Sequence, residues 1–154
     1  GASYIRGWLI DFLVEKNAIN IHMGISPYYR GNSCNFWALF DDNPSYVGAT
    51  IHKITKGLDS GPILFHCLPK LNKTDNVFDF TMRSVLSAQK GIEDFIKNCS
   101  FNDYKFIMQD KQKEIRYARN EDFTDDIAKE FLDRNYDIQK KIFNYPELIN
   151  KFIY

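Results

Sequence analysis

Two runs, Tyr46 to Ile54 and Ile63 to Leu68, are dense in β-branched and apolar residues, and the stretch Lys56 to Gly61 separates them. A chain with this pattern is held to two strands joined by a tight connection. Gly57 and Gly61 bracket Leu58, Asp59 and Ser60, which places Asp59 in a constrained loop between the strands. Whatever the fold, an acidic group is presented at a strand end.

The rest of the chain alternates around this unit. Ile5, Trp8, Leu9, Phe12 and Leu13 recur at helical spacing and predict a helix from Ser3 to about Lys16, with Ser3 as N-cap. Ala18 to His22 reads as a short strand. Its Ile19 and Ile21 share one face, so Asn20 and His22 share the other. Met23 to Asn32 holds Gly24, Pro27 and Gly31 around Tyr28, Tyr29 and Arg30, and is expected to be an ordered loop rather than a regular element. A helix from Cys34 to Phe40 follows, then turn chemistry at Asp41, Asp42, Asn43 and Pro44. Asn76 to Asn98 places Phe78, Met82, Val85, Leu86, Ile92, Phe95 and Ile96 on one side of a long amphipathic helix. Tyr104 to Met108 and Ile115 to Ala118 are expected to form a hairpin. Thr124 or Asp125 caps a helix to about Arg134, and Pro146 suits the first turn of a last short helix. Strands interleaved with helices predict an α/β protein.

Composition narrows the partners. A chain of 154 residues that is 44% hydrophobic can bury the core of one globular domain. Lys plus Arg is 20 and Asp plus Glu is 20, so no overall field draws the protein to nucleic acid or an anionic membrane. The balance holds locally, with 10 basic against 11 acidic residues from Phe101 onward. Cys34, Cys67 and Cys99 are odd in number, widely spaced and form no C-x-x-C. They predict neither a disulfide framework nor a thiolate zinc site, and a reducing cytoplasm is the expected compartment. No apolar run reaches the length of a membrane span.

The candidate chemistry lies in three polar residues with two supports. A lone strand histidine is usually a hydrogen-bonded structural residue, but His22 shares its face with Asn20 and the strand opens directly into a Gly/Pro-bounded loop. Two convergent polar groups at a strand end are costly unless used or paired. Thr50 and His52 share one face of their own strand, and Asp59 follows. Taken alone, Asp59 reads as an ordinary turn aspartate. His66 and the cysteines have apolar neighbours and no metal-ligand spacing, and read as structural.

The order Asn20-Ile21-His22, Ser26-Pro27-Tyr28-Tyr29-Arg30-Gly31, Gly48-Ala49-Thr50-Ile51-His52 and Gly57-Leu58-Asp59-Ser60-Gly61-Pro62-Ile63 resembles the catalytic half of the folate-dependent formyltransferases. That family includes glycinamide ribonucleotide, methionyl-tRNA and amino-sugar formyltransferases and the related formyltetrahydrofolate hydrolases. The match covers about residues 1–90. It implies the later part of a doubly wound sheet over residues 1–100, with residues 101–154 a C-terminal extension of hairpin and helices packed on it. It also implies that Asn20, His22 and Asp59 catalyse transfer of a formyl group from 10-formyltetrahydrofolate to a primary amine, without a metal. Asn20 and a protonated His22 would donate to the developing oxyanion, and Asp59 would favour the imidazolium and help move protons.

Ser26, Pro27, Gly57 and Leu58 correspond to positions beside the folate, and Thr50 and His52 to supports of the site. The family commonly places two leucines between the serine and the proline of the first loop, and this chain departs from that with Gly24-Ile25-Ser26-Pro27. The short, neutral tail, Tyr28-Tyr29-Arg30-Gly31 and Phe36-Trp37 resemble the sugar-modifying branch, and an amine on a nucleotide-linked sugar is the expected acceptor. A formyltetrahydrofolate hydrolase, a tRNA or ribonucleotide formyltransferase, and an inactive folate-binding remnant are the alternatives. In the family further strands precede the segment resembling Gly1 to Ile5. A 154-residue product is therefore expected to expose a sheet edge and to pair with a partner chain, lose stability or be inactive.

Overall fold

The computed structural model describes residues 5–99 and 104–154. Its main sheet is built on β3 (Ala49–Lys53), in which all but the last residue are buried. On one side β1 (Ile19–His22) runs antiparallel to β3, pairing Asn20 with His52 and His22 with Thr50. On the other, β4 (Ile63–Leu68) pairs antiparallel with an irregularity between Ile51 and His52. A two-residue strand, β6 (Phe152–Ile153), adds to β4 in parallel and completes the order β1-β3-β4-β6. Because β4 is buried at every residue and packs on both faces, it reads as a continuous apolar run rather than an alternating one.

Helix α3 (Val77–Asn98) covers one face of this sheet. The Asn76 side chain accepts from the N–H groups of Phe78 and Asp79, while Asp79 accepts from the Asn76 N–H, so a reciprocal cap starts the helix. Ala88 and Phe95 pack with Ile51, Leu64, Phe65 and Cys67, and Phe65 meets Phe95 at 5.4 Å and Phe152 at 4.9 Å between ring centres. A second core gathers Ile25, Tyr29, Trp37, Leu39, Leu68 and Phe80 around α2 (Cys34–Phe40), with Phe131 from α4 (Asp125–Asp133) and Ile138. Thr124 caps α4 through the Ile127 N–H. Helix α1 (Trp8–Glu15) buries none of its side chains, and the expected cap Ser3 lies outside the described residues.

Four expectations are corrected. Tyr29–Gly31, expected within a loop, is a strand, β2, parallel to β5 (Arg116–Ala118). Gly31 makes the pairing feasible: at φ +86°, any Cβ would fall 2.0 Å from the Ala118 carbonyl oxygen. The hairpin between 104–108 and 115–118 is absent, because each half has another partner. Ile107 exchanges two hydrogen bonds with Ile63, while β5 joins β2. No helix forms at Pro146. The Ile149 N–H is taken by His66 Nδ1 and its carbonyl accepts from the His66 N–H, which aligns the tail beside β4 and leads it into β6. Finally, Tyr46 ends a short 3-10 turn, Pro44–Tyr46, and the strand begins at Ala49.

Among the described residues, β1 pairs with β3 alone and forms an edge of the sheet. No helix there is long and apolar enough to cross a membrane.

Candidate functional site

The β1–β3 register decides which side chains meet. Alternation along β1 turns Asn20 and His22 to one face, and their partners His52 and Thr50 stand opposite. The connection between β3 and β4 then returns Asp59 over the same face, with a backbone φ of +45°, a left-handed conformation that Asp adopts more readily than most residues. Asp59 Oδ2 lies 3.5 Å from His22 Nδ1 and Oδ1 lies 3.7 Å from His52 Nε2. Asn20 Nδ2 is 3.3 Å from both Asp59 Oδ1 and His52 Nε2. Three separate segments thus deliver four polar side chains to one point.

The hydrogen bonds set which atom does what. His52 Nδ1 is 2.8 Å from the Lys53 carbonyl, which only accepts, so the proton sits on Nδ1 and Nε2 is free to accept from Asn20. His22 Nε2 faces the Tyr29 carbonyl at 3.3 Å, and its Nδ1 faces Asp59. Both ring nitrogens therefore face acceptors, an arrangement that suits a doubly protonated imidazole. Burial opposes the charge more strongly than Asp59 and the Tyr29 carbonyl favour it, and holds the His22 pKa below the ordinary histidine value. Asp59 shows the reverse balance. Burial pushes its carboxyl up, but the contact with His52 and the nearby His22 and Arg30 outweigh that and hold it low. The resting pair is a carboxylate beside a neutral ring whose Nδ1 is the basic nitrogen.

The loop behind His22 is equally determined. Thr50 Oγ1 donates to the Gly24 carbonyl at 2.6 Å and accepts from the Ser26 N–H at 2.8 Å. Gly24, at φ +152°, lies so close to its neighbours that a Cβ would fall 2.4 Å from Cys34 Cβ and 3.1 Å from His22 Nε2. The Ser26–Pro27 peptide is cis. His66 Nε2 donates to the Ser26 carbonyl at 2.9 Å and Nδ1 accepts from Ile149, so this ring is neutral and fully bonded, with burial lowering its pKa to about 4.

A cleft of about 720 Å³ opens over the four polar groups, within the range of small-molecule sites. Asn20, His22, His52 and Asp59 form its polar floor, and Ile10, Ile21, Met23, Ile54 and Leu58 supply apolar wall on the same end. Gly57 and Leu58, expected beside the site, line it. Ser26 and Pro27 do not: both are buried beneath the cleft, and their place is in the loop that backs His22. Thr50 is also fully buried and acts on the loop, not the cleft. Cys34, read from sequence as structural, lines the cleft with Sγ 3.5 Å from His22 Nε2. Burial raises its thiol to about 12, so it is present as a neutral S–H. Its only local signal was a position at the first residue of a helix, which many residues share.

Residues 9–83 match the formyl transferase family. Formyltetrahydrofolate deformylase 2, a mitochondrial protein of Arabidopsis thaliana, is 36% identical over 84 residues, 54% of this chain and 23% of that protein. GDP-perosamine N-formyltransferase of Brucella melitensis is 27% identical over 94 residues, 61% of this chain and 36% of that protein. Among solved structures, the formyltransferase PseJ from Anoxybacillus kamchatkensis, in complex with a UDP-linked formamido sugar and tetrahydrofolate, superposes with a TM-score of 0.64 at 24% identity, over 79% of this chain and 61% of that one. This chain thus spans about a quarter to a third of the length of those two curated relatives, and the four polar groups of the cleft floor all fall inside the matched segment. Residues 9–83, just under half of the chain, thus match the formyl transferase family, within an α/β fold shared over a longer stretch.

Proposed function

We propose that this chain carries the catalytic centre for transfer of a formyl group from 10-formyltetrahydrofolate to a primary amine, with Asn20, His22 and Asp59 as the catalytic residues. The observation that carries this reading is their convergence on the floor of one cleft, with a carboxylate 3.5 Å from the basic nitrogen of a buried imidazole. The cleft suits the donor's chemistry: apolar walls at Met23, Ile54 and Leu58 accept a flat ring system, and the polar floor accepts a carbonyl and an amine. When bound, the donor supplies the formyl carbon that an amine attacks.

His22 Nδ1 takes the proton that the amine loses as it bonds to that carbon. The Asp59 carboxylate and the Tyr29 carbonyl then face both N–H groups of the charged ring, which stabilises an imidazolium that burial alone disfavours. His22 hands the proton to the departing nitrogen and returns to its neutral form. Asn20 holds both amide hydrogens in 3.3 Å bonds to Asp59 and His52, at the long end of useful hydrogen bonds. Those bonds are weak enough for one to turn to a formyl oxygen, which is the role assigned to Asn20. His52 orders Asp59 and Asn20 and acts through them.

The acceptor we assign is an amine on a nucleotide-linked sugar. PseJ, crystallised with a UDP-linked formamido sugar, and GDP-perosamine N-formyltransferase support this class. Incubation with 10-formyltetrahydrofolate and a panel of amino-sugar nucleotides tests it, and transfer to an amine of another kind with none to the panel rejects it. A second reading, release of formate to water, is favoured by the 36% identity to the plant deformylase. Rapid formate release with no amine present supports that reading instead. The open rim of β1 is, on either reading, the place where a further strand pairs, and a second copy bound there is expected to elute as a dimer.

A further inference from the structure

Asp59 is presented by a turn tied locally by Thr55, whose Oγ1 lies 3.3 Å from both the Gly57 carbonyl and Ser60 Oγ, and by the Lys56–Asp11 ion pair at 2.7 Å. Lys56, Gly57 and Leu58 are exposed, and Asp59 itself sits in the left-handed region. Further ties come from far along the chain. Ile63 and Ile107 exchange N–H···O bonds of 2.7 and 2.9 Å, and two residues later the Gln109 side chain turns back to the loop. Its Nε2 donates to the carbonyls of Asp59, at 2.9 Å, and Gly61, at 2.8 Å. Both amide hydrogens are thereby used on the backbone that carries the carboxylate, while Gln109 Oε1 is buried without a protein partner. A glutamine that leaves its own oxygen unpaired to donate twice is placed for the sake of the loop. A second tie runs beside it: Arg30 donates to the Leu58 carbonyl at 3.2 Å and to Glu114 Oε2 at 2.9 Å, and its guanidinium lies 5.8 Å from the Tyr117 ring centre.

We propose that Gln109 is a positioning residue that clamps the Asp59 loop against His22, with the Arg30–Glu114 pair as a second tie. The inference rests on the reading of Asp59 and His22 as the catalytic pair. Gln109 touches neither catalytic side chain and acts only by fixing where the Asp59 carboxylate stands. Loss of the clamp lets the carboxylate drift from Nδ1, which weakens its support of the imidazolium. A shift of about 1 Å at a charged contact is enough to change a rate by a factor of ten or more.

The test reads His22 directly in the full 154-residue chain and needs no turnover. Imidazole NMR follows the His22 titration in the wild type, Gln109→Met, Gln109→Ala and Asp59→Asn, with melting curves to show that each is folded. Gln109→Met keeps the length of the side chain and removes both donors without adding charge. The expected result is a His22 midpoint lower in both Gln109 variants than in the wild type, moving part of the way to the Asp59→Asn value. In turnover assays the acid limb moves to lower pH and kcat falls about 10- to 100-fold with KM for the donor changed less than threefold. A midpoint lowered by Asp59→Asn but unmoved in folded Gln109→Met overturns the clamp and leaves the catalytic pair standing. A midpoint unmoved by Asp59→Asn removes the pair itself, and the clamp with it.

Discussion

His22 and His66 are both buried in strands of the same sheet, yet their surroundings assign them opposite work. His66 has one donor and one acceptor around it: the Ile149 N–H binds Nδ1 and the Ser26 carbonyl takes the Nε2 proton. A neutral ring satisfies that pair completely, and no charged state is supported. His22 has two acceptors around it, Asp59 and the Tyr29 carbonyl. Its neutral form leaves one contact unmet, and its charged form meets both against the cost of burial. The difference teaches that burial does not separate structural from reactive histidines; the partner set does. A ring with a matched donor and acceptor is locked, and one with two acceptors is poised to take a proton.

The comparison can be broken in several ways, the largest first. Asp59→Asn removes the charge that supports the His22 imidazolium, and kcat/KM for formyl transfer is expected to fall about 10³-fold with the melting temperature nearly unchanged. His66→Ala is expected to do the reverse: about 2–4 kcal/mol of stability is lost, read as a lower denaturant midpoint, because two buried hydrogen-bond partners lose their match and a void opens. Acid sharpens the same contrast. The His66 pKa of about 4 is lower in the folded than in the unfolded chain, so stability is intact above about pH 6.5 and is lost as pH falls from there towards 4. The loss approaches about 3 kcal/mol, and denaturant titrations at pH 7 and pH 4.5 check it. His22, also lowered, places the acid limb of kcat/KM below pH 6.5, since only the neutral ring accepts the amine proton. Gly24→Ala presses on Cys34 and His22 Nε2 and is expected to cost about tenfold in kcat. Cys34→Ala, which removes a weak sulfur contact, is expected to change kcat less than threefold.

Much of this site is written in local pattern. Strand alternation is enough to place Asn20 and His22 on one face, and the two glycines around Asp59 are enough to mark a tight return between β3 and β4. The cap at Thr124 is equally local, but the face expected for α3 is not the one it buries: Phe78, Met82, Leu86 and Ile96 are exposed, while Val77, Phe80, Ser84, Ala88 and Phe95 are buried. The failures share a cause. Tyr29–Gly31 is too short to announce a strand, and it becomes one because Arg116–Ala118 lies beside it. Ile107 and Tyr117 look like halves of a hairpin until Ile63 and Arg30 offer them other company. Pro146 lost its helix to a bond between Ile149 and His66. Ser26 and Pro27 were expected in the cleft, but the hydrogen bonds of Thr50 and His66 draw their loop beneath it. Gln109 carries no mark in its own neighbourhood at all. Each of these depends on a contact made across tens of residues, which no window along the chain contains.

The tie between Gln109 and the Asp59 loop also bears on when the site comes into being. All the strands that display Asn20, His22 and His52 precede residue 70, whereas the side chain that fixes the loop lies at 109 and the arginine's acidic partner at 114. On a ribosome the sheet can assemble while its reactive edge is still unfastened, because contacts of high sequence separation close last. The emerging chain therefore contains every strand of the site before it contains the side chain that ties the loop.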